Sequence, residues 1–303
     1  MDHTRFLASV PPEDRLRLTR RSDARGLAHL AGHLALIALP AAGIVAGVPG
    51  WPILMLPLGI ALVFLFTLQH ETTHLTPFRT RALSLWVGRL CGLILALPHG
   101  WFTLFHMAHH RHTQDPARDP ELATPKPTTR AGYAWHLTGL PTWRAQLSTL
   151  WRNAFGAIDA PYIPARRHAD LRREARLMLA IYTGLALASL AAGTAALLWL
   201  WIMPLLLGQP VLRLYLLAEH GRCPTVADMF LNTRTTLTSR AVRFLAWNMP
   251  FHAEHHAWPA VPFHQLPALH ARARSHLARV SPGYAAFHRA YRAGLTDGAP
   301  DAH

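Results

Sequence analysis

Two long stretches without charge divide the chain. From Leu27 to Gln69 there is no Asp, Glu, Lys or Arg, and Met178 to Leu212 is equally free of them. About 20 apolar residues cross a hydrocarbon core, so each stretch can cross, turn and return. The first divides at Gly47-Val48-Pro49-Gly50, a turn-forming tetrad, into spans of about 27–48 and 51–69. The second divides into spans of about 178–197 and 199–218, with its bend expected between Trp199 and Pro204. A weaker apolar run, Leu83 to Leu97, contains Arg89 and reads as an interfacial or re-entrant segment, or else as a buried helix. The polar remainder, 70–177 and 219–303, reads as helix and loop. Within it, Pro116, Pro120, Pro125 and Pro127 predict a turn-rich stretch. Leu266 to Arg292 predicts a basic amphipathic helix on the membrane surface. The expected fold class is all-α: one integral membrane domain over 1–303, with four transmembrane helices in two hairpins and a helical cap.

Composition sharpens this pattern. Only 15% of the 303 residues are charged, well below the quarter usual in soluble domains, whereas a mean hydropathy of +0.13 is too low for a chain that is membrane from end to end. Lys and Arg number 30 against 16 Asp and Glu, a formal charge of +14. That charge gathers at span edges, before residue 27 and at Arg166, Arg167, Arg172, Arg173 and Arg176, while the Gly47–Gly50 turn has none. The positive-inside rule then puts both termini and the 70–177 segment in the cytoplasm. The same placement makes nucleic-acid binding a weak reading of the charge. Arg213, inside the fourth span, is expected to snorkel towards the cytoplasmic interface. Cys91 and Cys223 are the only cysteines, too few for a disulfide framework or an iron–sulfur module, so any electrons come from a separate protein.

Histidine is the anomaly, at 21 residues. Three clusters stand out: His70-Glu-Thr-Thr-His74, His106-Met-Ala-His109-His110 and His252-Ala-Glu-His255-His256. Residues at i, i+3 and i+4 share a helix face, so each cluster aims its imidazoles one way. A random chain of this composition contains an i, i+4 histidine pair about once or twice, but two copies of His-x-x-His-His in fewer than about one chain in a hundred. All three adjoin a span or the interfacial run, and His220 closes the fourth span at the same level. His99, His112 and His264 suit supporting or surface roles; His29 and His33 suit packing inside the bundle; and His3, His136, His168, His270, His276, His288 and His303 read as surface residues. Imidazole donors suit Zn, Cu, Fe or Ni. One tetrahedral zinc takes at most four ligands, whereas this set fits two adjacent metals of higher coordination number. A competing motif is present, because His70-Glu71-Thr-Thr-His74 also reads H-E-x-x-H, the zinc-protease signature with Glu71 as general base. It leaves both His-x-x-His-His clusters without a role. A membrane protein that merely binds heavy metal is a further, non-enzymatic alternative.

The three boxes around two hairpins resemble the membrane-bound fatty acid desaturase family. The context of the last box, Asn248-Met-Pro-Phe-His252-Ala-Glu-His255-His256-Ala-Trp-Pro259, is similar to that of bacterial members, and the resemblance covers about residues 30 to 275. It implies a bacterial inner-membrane enzyme with a cytosolic di-iron centre, using O2 and two electrons from a ferredoxin or cytochrome b5 system to remove two hydrogens from a lipid acyl chain. The implied iron ligands are His70, His74, His106, His109, His110, His220, His252, His255 and His256. Some relatives carry an Asn one turn before the fourth-span histidine; Leu216 stands there in this chain, with Glu219 as a possible substitute. Glu71, Asp115, Asp119, Asn248 and Glu254 are expected around the ligands, because a ligating imidazole needs an acceptor for its other N–H. The same boxes serve lipid hydroxylases, carotenoid ketolases and hydroxylases, and fatty acid decarboxylases, which the sequence does not separate from desaturases. Expected partners are the lipid or acyl substrate, the membrane lipids and the electron donor, with no nucleic acid.

Overall fold

Gly47 and Gly50 adopt φ of 62° and 76°, the left-handed region that glycine reaches without a Cβ clash. The chain reverses there between the helix Asp23–Val45 and the helical run Trp51–Thr73. The computed structural model describes residues 1–298, so the end of the expected cap, with His303, lies outside the described residues. Among these, helix dominates, and the one sheet is a parallel pairing of Thr235–Thr236 with Val280–Ser281.

The second hairpin turns earlier than its hydropathy suggests. The helix His168–Ala191 stops at Gly193, whose φ is 61°, and Thr194 Oγ1 then accepts from the Ala196 amide at 3.2 Å, starting the return. The Trp199–Pro204 segment, expected to bend, is helical instead: Leu198–Ile202 makes a π-helical turn leading into Met203–His220. Pro204 follows at the junction between the π turn and the α-helix. Composition alone could not choose between a glycine with a capping threonine and a proline tolerated at a helix junction.

Among the described residues, four helices are long and apolar enough to cross a membrane, Pro12–Val45, Trp51–Thr73, Ala165–Ala191 and Leu198–His220. They are unequal. In the most apolar window of the second and fourth, 50% and 39% of residues are buried against protein, against 11% in the first and third, so the outer pair meets lipid and the inner pair builds the centre. Gly59 and Gly208 face each other where the inner helices cross: a Cβ on Gly59 would run into the Pro204 carbonyl, and one on Gly208 into the backbone of Gly59. Close approach through small residues is how helices associate where lipid removes the hydrophobic drive. Trp51 and Trp199 pack edge to face at 5.8 Å, joining the two hairpin turns at one end of the bundle. Arg213 donates to Thr142 Oγ1 at 3.2 Å, reaching from the fourth span to a helix of the polar cap.

Between the hairpins, Arg81–Ile94 and His99–His112 meet at a bend of 103°. Ala96 at φ 54° and Pro98 make the break. Trp86 and Leu90 are exposed on the first arm, as an interfacial segment requires. The C-terminal part departs from expectation. Leu266 to Arg292 is not one surface helix: Leu266–Ala273 and Tyr284–Ala293 are separated by the Val280–Ser281 strand, because Pro282-Gly283 stops helix propagation. The two pieces bury Leu266, Leu269, Phe287 and Tyr291 in the cap.

Candidate metal centre

Each histidine cluster lies at a helix end whose backbone is pinned. His70 and His74 close the helix Leu65–Thr73, and Leu75 follows at φ 57°. His106, His109 and His110 occupy the last turns of His99–His112, with Gln114 at φ 64° just beyond. His220 ends the fourth span, followed by Arg222 at φ 56°, and the short helix His252–Ala257 is preceded by Trp247 and Asn248 at 51° and 57°. Left-handed backbone costs a non-glycine residue roughly 1–2 kcal/mol. Such residues concentrate at functional sites, where the surrounding structure must over-determine them.

The imidazoles converge in two groups. His70, His74, His106, His110 and His255 each offer one ring nitrogen such that all five lie within 4.8 Å of one another; His109, His220 and His256 do the same. The groups abut, since the His110 and His256 rings stack at 4.0 Å. His252 stands beside the second group, its Nε2 3.2 Å from His220 Nε2.

In the first group, both ring nitrogens of His70, His110 and His255 are buried without a hydrogen-bond partner, and the Nε2 atoms of His74 and His106 face each other at 2.9 Å. The second group holds its protons on the outer nitrogens. His109 Nδ1 donates to Asp119 Oδ1 at 2.9 Å, His220 Nδ1 to the Asn232 carbonyl at 3.3 Å, and His256 Nδ1 to Thr113 Oγ1 at 3.2 Å. A neutral imidazole carries one N–H, so their Nε2 lone pairs turn inward; His109 Nε2 and His220 Nε2 are 3.3 Å apart and His256 Nε2 has no partner. Lone pairs brought this close repel unless a cation sits among them, and buried polar atoms are ordinarily paired. Burial drives the imidazoles of His106, His110, His252, His255 and His256 well below their ordinary value, which keeps them in the neutral form that binds metal. His109 differs: burial lowers it, but Glu121 and Asp119 together outweigh burial and raise it. By donor type, orientation and missing partners, the residues fit bound metal in both groups.

The carboxylates and amide expected around the ligands separate on inspection. Asp119 is buried, and besides His109 it accepts from the backbone amides of Gln114 and Glu121, at 2.8 and 2.9 Å. Glu219 Oε1 lies 3.4 Å from His252 Nδ1. The other four engage different groups. Asp115 pairs with Arg118, Asn248 donates to the Phe263 carbonyl at 3.0 Å, Glu254 binds Thr235 and His270, and Glu71 binds the Thr76 hydroxyl. Glu71 thus gives one oxygen to Thr76, while its Oε1 is buried without a partner. Several histidines expected at the surface are also engaged: His270 by Glu254, His288 by Tyr133 and the Leu214 carbonyl, and His3 by Asp228. His29 and His33 bond backbone carbonyls of Phe244 and Ala61 at 2.7 and 2.8 Å.

Sequence reading passed over Glu121, whose Oε2 lies 3.3 Å from His109 Nε2. The available signal was the register Asp119-Pro120-Glu121, in which an Asp caps a turn and the residue two beyond swings to the same side.

Residues 46–288 match the sequence model of the family described as Fatty acid desaturase. No curated protein matches the chain.

Proposed function

Since the chain belongs to the fatty acid desaturase family, a family of lipid oxidoreductases, we propose that it is a membrane di-iron enzyme that inserts a C=C bond into a lipid acyl chain. The observation carrying this reading is the double convergence of buried imidazoles at the ends of the inner spans. Five donors in one group, and three with His252 beside them in the other, exceed what a single zinc takes and suit iron with positions left open. The proposed ligands are His70, His74, His106, His110 and His255 for one ion, and His109, His220, His252 and His256 for the other. Two ferrous ions bound there supply the means to reduce O2 and to take hydrogen from an unactivated C–H bond.

The chain's own residues position and shield. Asp119, Thr113 and the Asn232 carbonyl hold the Nδ1 protons of His109, His256 and His220, fixing each tautomer. Burial of His70, His106, His109, His220, His252, His255 and His256 in the protein keeps bulk water from the cluster, which stands at the ends of the inner spans. Orientation follows from charge. The arginine-rich N-terminal segment docks at the histidine end through His3–Asp228 and Asp23–Thr80, and both hairpin turns at the opposite end are uncharged. This distribution supports a reading in which the histidine end faces the cytoplasm, of a bacterial inner membrane as the family resemblance suggests, and a separate ferredoxin or similar protein delivers the electrons there.

Mass spectrometry of lipids from cells with and without the protein tests the reaction. A loss of two hydrogens from an acyl chain is expected. Added oxygen would make the protein a hydroxylase, a lost carbon a decarboxylase, and stoichiometric zinc without iron in the purified protein would overturn the oxidative reading altogether.

A further inference from the structure

The two metal positions are chemically unequal, and the geometry points to Glu121 as an oxygen donor to the second. This rests on the di-iron reading above and goes beyond its all-histidine ligand set. The group of His70, His74, His106, His110 and His255 is imidazole throughout. In the other, Glu121 Oε2 stands 3.3 Å from His109 Nε2, the atom that itself lies 3.3 Å from His220 Nε2. An imidazole lone pair and a carboxylate oxygen converge on one point, and only a proton or a metal ion can satisfy both. The unpartnered Nε2 of His256, a residue only 3% exposed, belongs to the same imidazole group as His109 and His220, where one proton cannot serve every donor. A metal ion can.

The carboxylate is also aimed. Its backbone amide is tied to Asp119 Oδ1 at 2.9 Å, the same oxygen that receives His109 Nδ1, so Asp119 sets the imidazole and the carboxylate in one frame. Lys126, the chain's single lysine, takes Glu121 Oε1 and leaves Oε2 for the cluster. An anionic oxygen at one position shifts that position towards harder cations such as iron or manganese, away from those satisfied by imidazole alone, and stabilises a higher charge on that ion than on its neighbour.

The full-length protein in detergent, loaded with ferrous iron and challenged with an excess of a ferrous chelator, tests the assignment by metal release. The unaltered protein is expected to hold about two irons per chain; fewer overturns the di-iron reading and this inference with it. In Glu121→Gln one of the two irons is expected to leave at least about tenfold faster, and only one component of the Mössbauer spectrum should change. Release curves and spectra identical to those of the unaltered protein overturn the assignment while leaving the di-iron reading intact. Lys126→Met separates ligation from the ion pair: retention of both irons supports ligation, and loss matching that of Glu121→Gln makes the carboxylate merely a partner of Lys126. Should Glu121→Gln fail to insert, Glu121→Asp decides, since it keeps the charge but withdraws the oxygen by one methylene. Fast release of one iron supports the assignment and unaltered release overturns it.

Discussion

Asp119 Oδ1 accepts the Nδ1 proton of His109 at 2.9 Å, within the second imidazole group. That bond decides which face of His109 is left to a metal. Substituting Asp119→Asn puts an uncharged amide in its place and frees the ring to flip. Metal affinity of the second position is expected to fall about 10- to 100-fold, read as iron per chain after dialysis. Asp115→Asn, four residues earlier and paired with the exposed Arg118, serves as the control and is expected to leave iron content unchanged. Equal losses in both would mean that Asp119 acts only as a turn-former.

The crossing of the inner spans leaves no room for a side chain. Gly208→Ala drives a methyl into the backbone of Gly59, and overpacking of this kind costs about 1–3 kcal/mol. A lowered thermal unfolding midpoint in detergent is the expected reading. Gly184→Ala, on the third span where a Cβ meets nothing, is expected to hold or slightly raise that midpoint, since alanine is the better helix former by about 0.5–1 kcal/mol.

Glu71 separates oxidative from proteolytic chemistry. With its carboxylate on the Thr76 hydroxyl, Glu71→Gln should lower stability while leaving metal content and lipid turnover measurable. A zinc protease would lose all activity on the same change, so a dead but fully metallated variant would revive the H-E-x-x-H reading.

His33 links the loop before the last histidine box to the membrane helices. The Trp247 indole donates to His33 Nδ1 at 3.1 Å, and His33 Nε2 donates to the Ala61 carbonyl at 2.8 Å. His33→Leu strands a buried indole N–H and a carbonyl, at a cost of about 1–3 kcal/mol for each unsatisfied group. Destabilisation without loss of iron is expected; loss of iron at unchanged stability would make His33 part of the metal machinery.

The boxes and spans were legible because each signal repeats. Two uncharged stretches announce four crossings, and two copies of His-x-x-His-His mark a metal face. What stayed hidden depends on which way a single side chain turns. Asp115 and Asp119 look alike in a proline-rich loop, yet only Asp119 meets His109, because Asp115 is drawn to Arg118. Glu254 lies between two box histidines in sequence, but its place on the helix carries it to the far side, onto His270 and Thr235. The Gly193 turn was masked by the apolar residues on either side, since hydropathy records transfer energy and is blind to backbone handedness. The C-terminal segment misled for a related reason: its basic and apolar residues mix as on a membrane helix, but Pro282 and Gly283 break it into pieces that pack on the cap.

The proposed ligands run from His70 to His256, and the last three follow the fourth span by more than thirty residues. During synthesis, every crossing helix has therefore left the ribosome before either metal position can close. With these ligands, insertion and metal loading would be separate events, and a chain cut short after Gly221 would still carry all four spans yet lack His252, His255 and His256. On the proposed ligand set, iron would act as the final clasp between hairpins already seated in the bilayer, and cells starved of iron would accumulate inserted but inactive protein.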